Sequence, residues 1–217
     1  MTTDRQTQER VLAALDWEPS VDAALVGVAV DNGVVTLHGS VKTYHEKWEA
    51  ERVTRGIYGV RAIANELVVA PSDVLARNDT AVAEAAANAL AWNVVLPTGA
   101  IKATVSNGFV TLTGKADWQY QRVAAEKAIR NLFGVKGVID LVELKPRVNV
   151  GDIKSKIEAA FKRSAEVDAD RVRVEARDGS VVLTGTVRTL GERAAAEHAA
   201  WAAPGVTQVE DRLAVAP

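Results

Sequence analysis

The sequence predicts an α+β protein of three tandem units, each ordered helix, strand, strand, helix, strand: a three-stranded mixed sheet with two helices on one face. Three observations predict it. One phrase is written three times, as DNGVVTLHGSV (31–41), SNGFVTLTGKA (106–116) and RDGSVVLTGTV (177–187). The turn glycines Gly33, Gly108 and Gly179 are 75 and 71 residues apart, and the same offsets carry Gly39 onto Gly114 and Gly185, Gly59 onto Gly134 and Gly205, and Pro71 onto Pro146 and Pro217. The hydrophobic period also switches between helix and strand at matching places in every copy. The units are placed at 1–71, 79–146 and 150–217, with joints at 72–78 and 147–149 too short to be flexible tethers.

Each unit opens on a helix, read from Val11, Leu12 and Leu15, from Val82, Ala86 and Leu90, and from Ile153, Ile157 and Phe161, all at i, i+3/i+4, i+7/i+8 spacing. An alternating strand follows: Val26, Val28, Val30; Ile101, Ala103, Val105; Val172, Val174, Ala176. Asp-Asn-Gly, Ser-Asn-Gly and Arg-Asp-Gly supply the positive-φ residues of a tight hairpin turn. The next strand points Val35 and Leu37, Val110 and Leu112, or Val181 and Leu183 inward, and Gly39, Gly114 and Gly185 mark where it leaves the sheet. A second helix, rich in alanine and charge, is expected to stop at Gly59, Gly134 or Gly205. A last strand, with Val60, Ile63, Leu67 and Val69 in the first copy, closes the unit through a right-handed crossover.

The pattern NGVVTLHG, followed after twenty residues by Gly59-Val60 and then by IANELVV (63–69), resembles the BON domain, the family of bacterial osmotically induced and nodulation proteins. All three units fit it. The resemblance implies an αββαβ domain without enzymatic activity, tied to osmotic and envelope stress and to phospholipid at membrane surfaces. It also implies an alternative ligand, potassium, which one cytosolic relative binds.

Composition excludes several classes. Of the 217 residues, 48% are hydrophobic and 25% charged, and the net charge of −2 provides no basic face for nucleic acid, which is not expected as a partner. The absence of cysteine removes disulfides, thiolate metal sites and a cysteine nucleophile. No apolar run approaches the ~18 residues of a membrane span, and MTTDRQTQERVLAALDW lacks an apolar run of signal length. The expectation is a cytoplasmic chain as written, or a periplasmic one if a signal peptide has been removed.

No catalytic or metal constellation emerges. His38, His45 and His198 fall at different positions of the repeat, and His38 and His198 read as surface residues. The GVKG stretch (134–137) matches the GxxG loop of KH domains, but its counterparts read GVRA and GVTQ, so it is a helix-to-strand joint. Asn65, Asp140 and Asp211 share one position of the last strand, and Asp22 and Asp168 align with Pro97; turn chemistry and strand-edge hydrogen bonding account for them.

The copies differ most after the first helix. Where the first and third read DWEPSVDA (16–23) and KRSAEVDA (162–169), the second reads AWNVVLPT (91–98), with Val21, Leu96 and Val167 aligned as core. Trp92, Val94 and Val95 thus form an apolar tip with Lys102 nearby in the next strand, and Trp118 and Tyr120 begin the second helix of the same unit. Such a tip suits a lipid interface, with tryptophan at the boundary and lysine on anionic headgroups, or packing against another unit or subunit. The outer face of the first hairpin is apolar in unit one (Leu25, Gly27, Ala29, Val34), mixed in unit two (Ala100, Lys102, Thr104, Phe109) and polar in unit three (Arg171, Arg173, Glu175, Ser180). The expected function is therefore a non-enzymatic binding or assembly protein of the bacterial stress response. Anionic phospholipid is its first partner; potassium sensing and homo-oligomeric self-assembly are the alternatives.

Overall fold

The computed structural model describes residues 3–71, 77–145, 153–164 and 167–216. In the first repeat α1 (Asp4–Trp17) leads through a 3-10 turn (Ala23–Leu25) to β1 (Val26–Asp31), β2 (Val34–Val41), α2 (Tyr44–Arg55), β3 (Ala62–Asn65) and β4 (Val68–Val69). The second repeat has α3 (Asp79–Ala91), β5 (Ile101–Ser106), β6 (Phe109–Ala116), α4 (Gln119–Arg130) and β7 (Gly137–Leu144). The third has α5 (Ile153–Arg163), β8 (Val172–Arg177), β9 (Ser180–Val187), α6 (Leu190–Trp201) and β10 (Gln208–Val215).

In every sheet the second strand of the repeat is central, joined to its hairpin partner on one side and parallel to the last strand on the other. Val34 faces Ala62, Phe109 faces Gly137 and Ser180 faces Gln208, so the crossover returns in the same register each time. Contacts divide the chain into two compact units, one of Met1–His38, Ala50–Glu66 and Pro146–Pro217, the other of Gly39–Glu49 and Leu67–Lys145.

Both helices of a repeat contribute to one core with the inner sheet face. In the second repeat Val82, Ala86 and Leu90 of α3 meet Ala125 and Ile129 of α4 over Val110 and Leu112. In the third, Ile153, Ile157 and Phe161 meet Ala196 and Ala200 over Val181 and Leu183. Val11 and Leu15 of α1 are buried as expected, whereas Leu12 is exposed because it falls to the side of the stripe. Thr3 and Asn78 accept from the backbone N–H groups of Gln6 and Ala81 and so cap α1 and α3.

The hairpin turns have the two positive φ values of a type I′ turn, 50° and 78° at Asn32 and Gly33, with near-identical pairs at Asn107–Gly108 and Asp178–Gly179. A clamp that sequence reasoning missed holds them. The Asp4 carboxylate accepts from the N–H groups of Asn32 (2.9 Å) and Gly33 (3.0 Å), and Asp79 does the same for Asn107 (2.7 Å) and Gly108 (2.9 Å). The available signal was an acid at the first helical position of both repeats.

Three expectations need correction. The second helices end at Arg55, Arg130 and Trp201, a turn before Gly59, Gly134 and Gly205. The backbone closes that extra turn itself, with Gly56 N–H bonded to Val53 and Val60 N–H to Ile57. Gly39, Gly114 and Gly185 lie within the central strands, and Gly114 and Gly185 pair with Ile101 and Val172, rather than marking the strand's exit. The last strand of the first repeat is broken in two, although Ser40 opposite Val68 keeps the register of Val34 opposite Ala62. Between the two pieces Lys47 Nζ donates to the Leu67 carbonyl at 2.6 Å. The equivalent Arg122 and Arg193 reach the carboxylates of Asp140 and Asp211, where the first repeat has only the neutral Asn65. The joint at 147–149, most of that at 72–78, and Pro146 and Pro217 lie outside the described residues.

Candidate functional site

Exposed apolar side chains gather on the second repeat. Among the described residues, nine of the fifteen exposed large hydrophobic side chains belong to it and none to the third repeat. That asymmetry on one scaffold makes the second repeat the candidate surface.

The tip follows α3. Trp92 ends the helix with its N–H on the Asn88 carbonyl (2.9 Å), and Asn93 folds the next turn by accepting from Val95 N–H through Oδ1 (3.2 Å) and from Leu96 N–H through its carbonyl (3.1 Å). This leaves Trp92 85% and Val94 97% exposed, with Val95 beside them at 40%. Residues on either side of the tip in the chain wall a cavity of about 350 Å³: Ala87, Leu90 and Ala91 of α3, Leu96 and Pro97 of the loop, and Ile101 to Ala103 of β5. Lys102 is exposed and lines the same cavity. Leu96 is half-buried and forms cavity wall, where its counterparts Val21 and Val167 are buried core.

Gln121 ties this loop to the start of α4. Its Oε1 accepts from the N–H groups of Asp117 (2.9 Å) and Trp118 (3.1 Å), and its Nε2 donates to the Val95 carbonyl (3.1 Å). Trp118, half-buried, is the residue immediately before α4, and Tyr120 is exposed on its first turn, so Gln121 joins both sequence-predicted segments through their backbones. The other repeats have glutamate here: Glu192 accepts from Arg188 N–H (2.7 Å) and Asp168 N–H (3.0 Å). The second repeat has Pro97 in place of Asp168, which offers no N–H, and the amide can donate where a carboxylate could only accept. Gln121→Glu should therefore cost about 1–3 kcal/mol at pH 7, by setting a carboxylate against the Val95 carbonyl. The loss should shrink near pH 4, where the protonated acid donates; thermal melts at both pH values check this.

The sequence reading of the outer sheet face stopped at the hairpin and missed β7. Ile139 and Leu141 are exposed there beside Phe109, whose ring lies over Gly137. Ala64 and Glu66, and Glu210 and Arg212, hold those two positions in the other repeats, so the signal was present in the alignment of the last strands. Lys102 and Thr104 are exposed on this face as expected, and Lys115 is paired with Glu143 at 3.5 Å.

The acidic positions have protein partners. Asp140 is bonded by Arg122 (2.8 Å), Asp211 by Arg193 (2.6 Å) and Asp168 by Arg188 (2.8 Å). Burial pushes the Glu126 carboxyl above its ordinary range, while Arg130 pulls it down and Asp140 adds to the rise. His38 and His198 are exposed, and the His38 ring lies across Gly27. Among the described residues no helix is long and apolar enough to cross a membrane.

Comparison with known proteins places the chain in a family. The chain is 30% identical over 140 residues to the osmotically-inducible protein Y of Escherichia coli K12, a match covering 62% of this chain and 69% of that protein. Among solved structures, the C-terminal domain of CdsD, a structural protein of the type III secretion system of Chlamydia trachomatis, aligns over 96% of both chains at 15% identity, with a TM-score of 0.26. A likeness that weak carries no argument. The family model described as the BON domain matches residues 3–71, 78–146 and 149–217, nearly the whole chain, and the protein therefore belongs to the BON-domain family, with three copies in tandem.

Proposed function

We propose that this protein is a non-enzymatic binding protein of the bacterial osmotic stress response that docks on anionic phospholipid through its second repeat. The observation that carries the reading is the tip, where Trp92, Val94 and Val95 stand exposed between chain segments that wall an apolar cavity lined in part by Lys102. Tryptophan favours the headgroup boundary, valines favour the acyl region, and a lysine ammonium meets anionic phosphate. Burying one valine contributes roughly 1.5–3 kcal/mol, so the tip supports a reversible, peripheral attachment. The link to osmotic stress rests on the related osmotically-inducible protein Y.

Vesicle flotation tests it. The native chain should float with anionic liposomes and stay behind with neutral ones, and the Val94→Ser/Val95→Ser variant should lose about tenfold or more in partitioning. If neither protein floats, or the variant floats as well as the native chain, the reading is wrong.

A further inference from the structure

The cavity of the second repeat is hollowed out by residue choice. By the repeat offsets Ala87 stands where the other repeats have Leu12 and Glu158, and Ala103 where they have Val28 and Val174. Against the first repeat these two changes remove five side-chain carbons, and Ile101 and Leu96, in place of Val26 and Val21, return two. Against the third, Leu90 in place of Phe161 opens the space further. Leu90 and Ile101 are buried and form the floor, Leu96 and Ala103 are half-buried walls, and Ala87 and Lys102 are exposed at the mouth. Gly99 also lines the cavity, and a Cβ built on it would meet nothing within 4 Å, so the mouth is open on that side.

Charge is sorted in the same way. The positions that line the cavity hold Asp16 and Asp22 in the first repeat, and Glu158, Lys162, Asp168, Asp170 and Arg173 in the third. In the second repeat the lining side chains are apolar but for one, Lys102, and no acid is among them. Lys102 belongs to β5, an edge strand of its sheet, and its four-carbon stem lets the ammonium reach an occupant at the mouth. We infer that this cavity binds a single-chain anionic amphiphile, a medium-chain carboxylate, with the alkyl chain on Leu90, Ile101 and Ala103 and the carboxylate at the Lys102 ammonium. At roughly 30 Å³ for each non-hydrogen atom, the share of one water molecule in the liquid, about 350 Å³ holds about a dozen such atoms, the size of decanoate. The inference deepens the lipid reading by naming a ligand for the same surface, and rests on it for the choice of an amphiphile.

Titration calorimetry with monomeric straight-chain carboxylates, in the absence of vesicles, tests it. Affinity should rise by up to about fourfold per methylene from hexanoate to decanoate and then level off as the cavity fills. Decanol should bind about fivefold more weakly than decanoate, and Lys102→Gln, at an exposed position, should erase that difference. Ala103→Val restores the residue of the other repeats and should melt no lower than the native chain, yet bind decanoate about tenfold more weakly or worse. A free fatty acid and one chain of a membrane lipid share this chemistry, and flotation of Ala103→Val with anionic vesicles separates them. Lost flotation assigns the cavity to a membrane chain, and unchanged flotation assigns it to the free acid. Three results would overturn the inference: no binding of any of these carboxylates; an affinity that does not level off with chain length; or a folded Ala103→Val chain that binds decanoate as tightly as the native one. A native chain that binds decanoate but never floats sinks the lipid reading alone, and one that floats but binds no carboxylate sinks this inference alone.

Discussion

Gly114→Ala should be the most damaging single-methyl change in the second repeat, lowering stability by about 3 kcal/mol or more. Gly114 sits within β6 at φ 128°, and a Cβ there would stand 2.0 Å from the Ala100 carbonyl oxygen. That oxygen is backbone, held by Lys115 N–H at 3.2 Å, so no side-chain rotation relieves the clash. Gly185 repeats the arrangement, at φ 124° and 2.1 Å from the Arg171 oxygen. Gly99 is the control: its φ is 70°, but nothing lies within 4 Å of an added Cβ, and alanine there should cost only about 1–2 kcal/mol. Denaturant melts of the two variants decide the matter, and equal losses at positions 114 and 99 would refute the steric account.

Phe161→Ala should destabilise the third repeat by about 3–5 kcal/mol. The ring is 1% exposed and lies in a core shared by α5, α6 and the β8–β9 hairpin. A repeat of about 68 residues has little stability to spare, so a loss of this size should unfold the third repeat ahead of the rest. Phe161→Leu should cost only about 1 kcal/mol, because Leu15 and Leu90 fill the same position in the other copies and the apolar volume is largely kept. Equal losses for leucine and alanine would mean that ring shape, and not buried volume, governs this core.

Much of the fold was legible because the chain repeats itself. Three aligned copies fix the hairpin turns, the inward residues of the central strands and the stripes of the first helices, each by a period of elementary geometry. What the alignment blurred were places where one residue changes its partner. At the break between β3 and β4 Lys47 donates to the Leu67 carbonyl, where the aligned Arg122 and Arg193 reach carboxylates. The helix ends were misplaced because a backbone-bonded turn and a glycine stop look alike in one dimension.

The candidate site was half legible. The apolar pair Val94 and Val95 in place of Pro19 and Ser20, and of Ala165 and Glu166, is visible in the sequence, as are Trp92 and Lys102. The cavity between α3, the loop and β5 and the Gln121 latch to Val95 are not, because each joins segments separated along the chain, and the joining of Phe109 with Ile139 and Leu141 closes only when β7 returns beside β6. Sequence by itself determined the family, the number of repeats and the apolar tip, since these follow from local periodicity and residue type. Only the tertiary structure decided which polar groups satisfy one another and which apolar side chains are left without cover, because burial and hydrogen-bond partnership are properties of segments brought together from far along the chain.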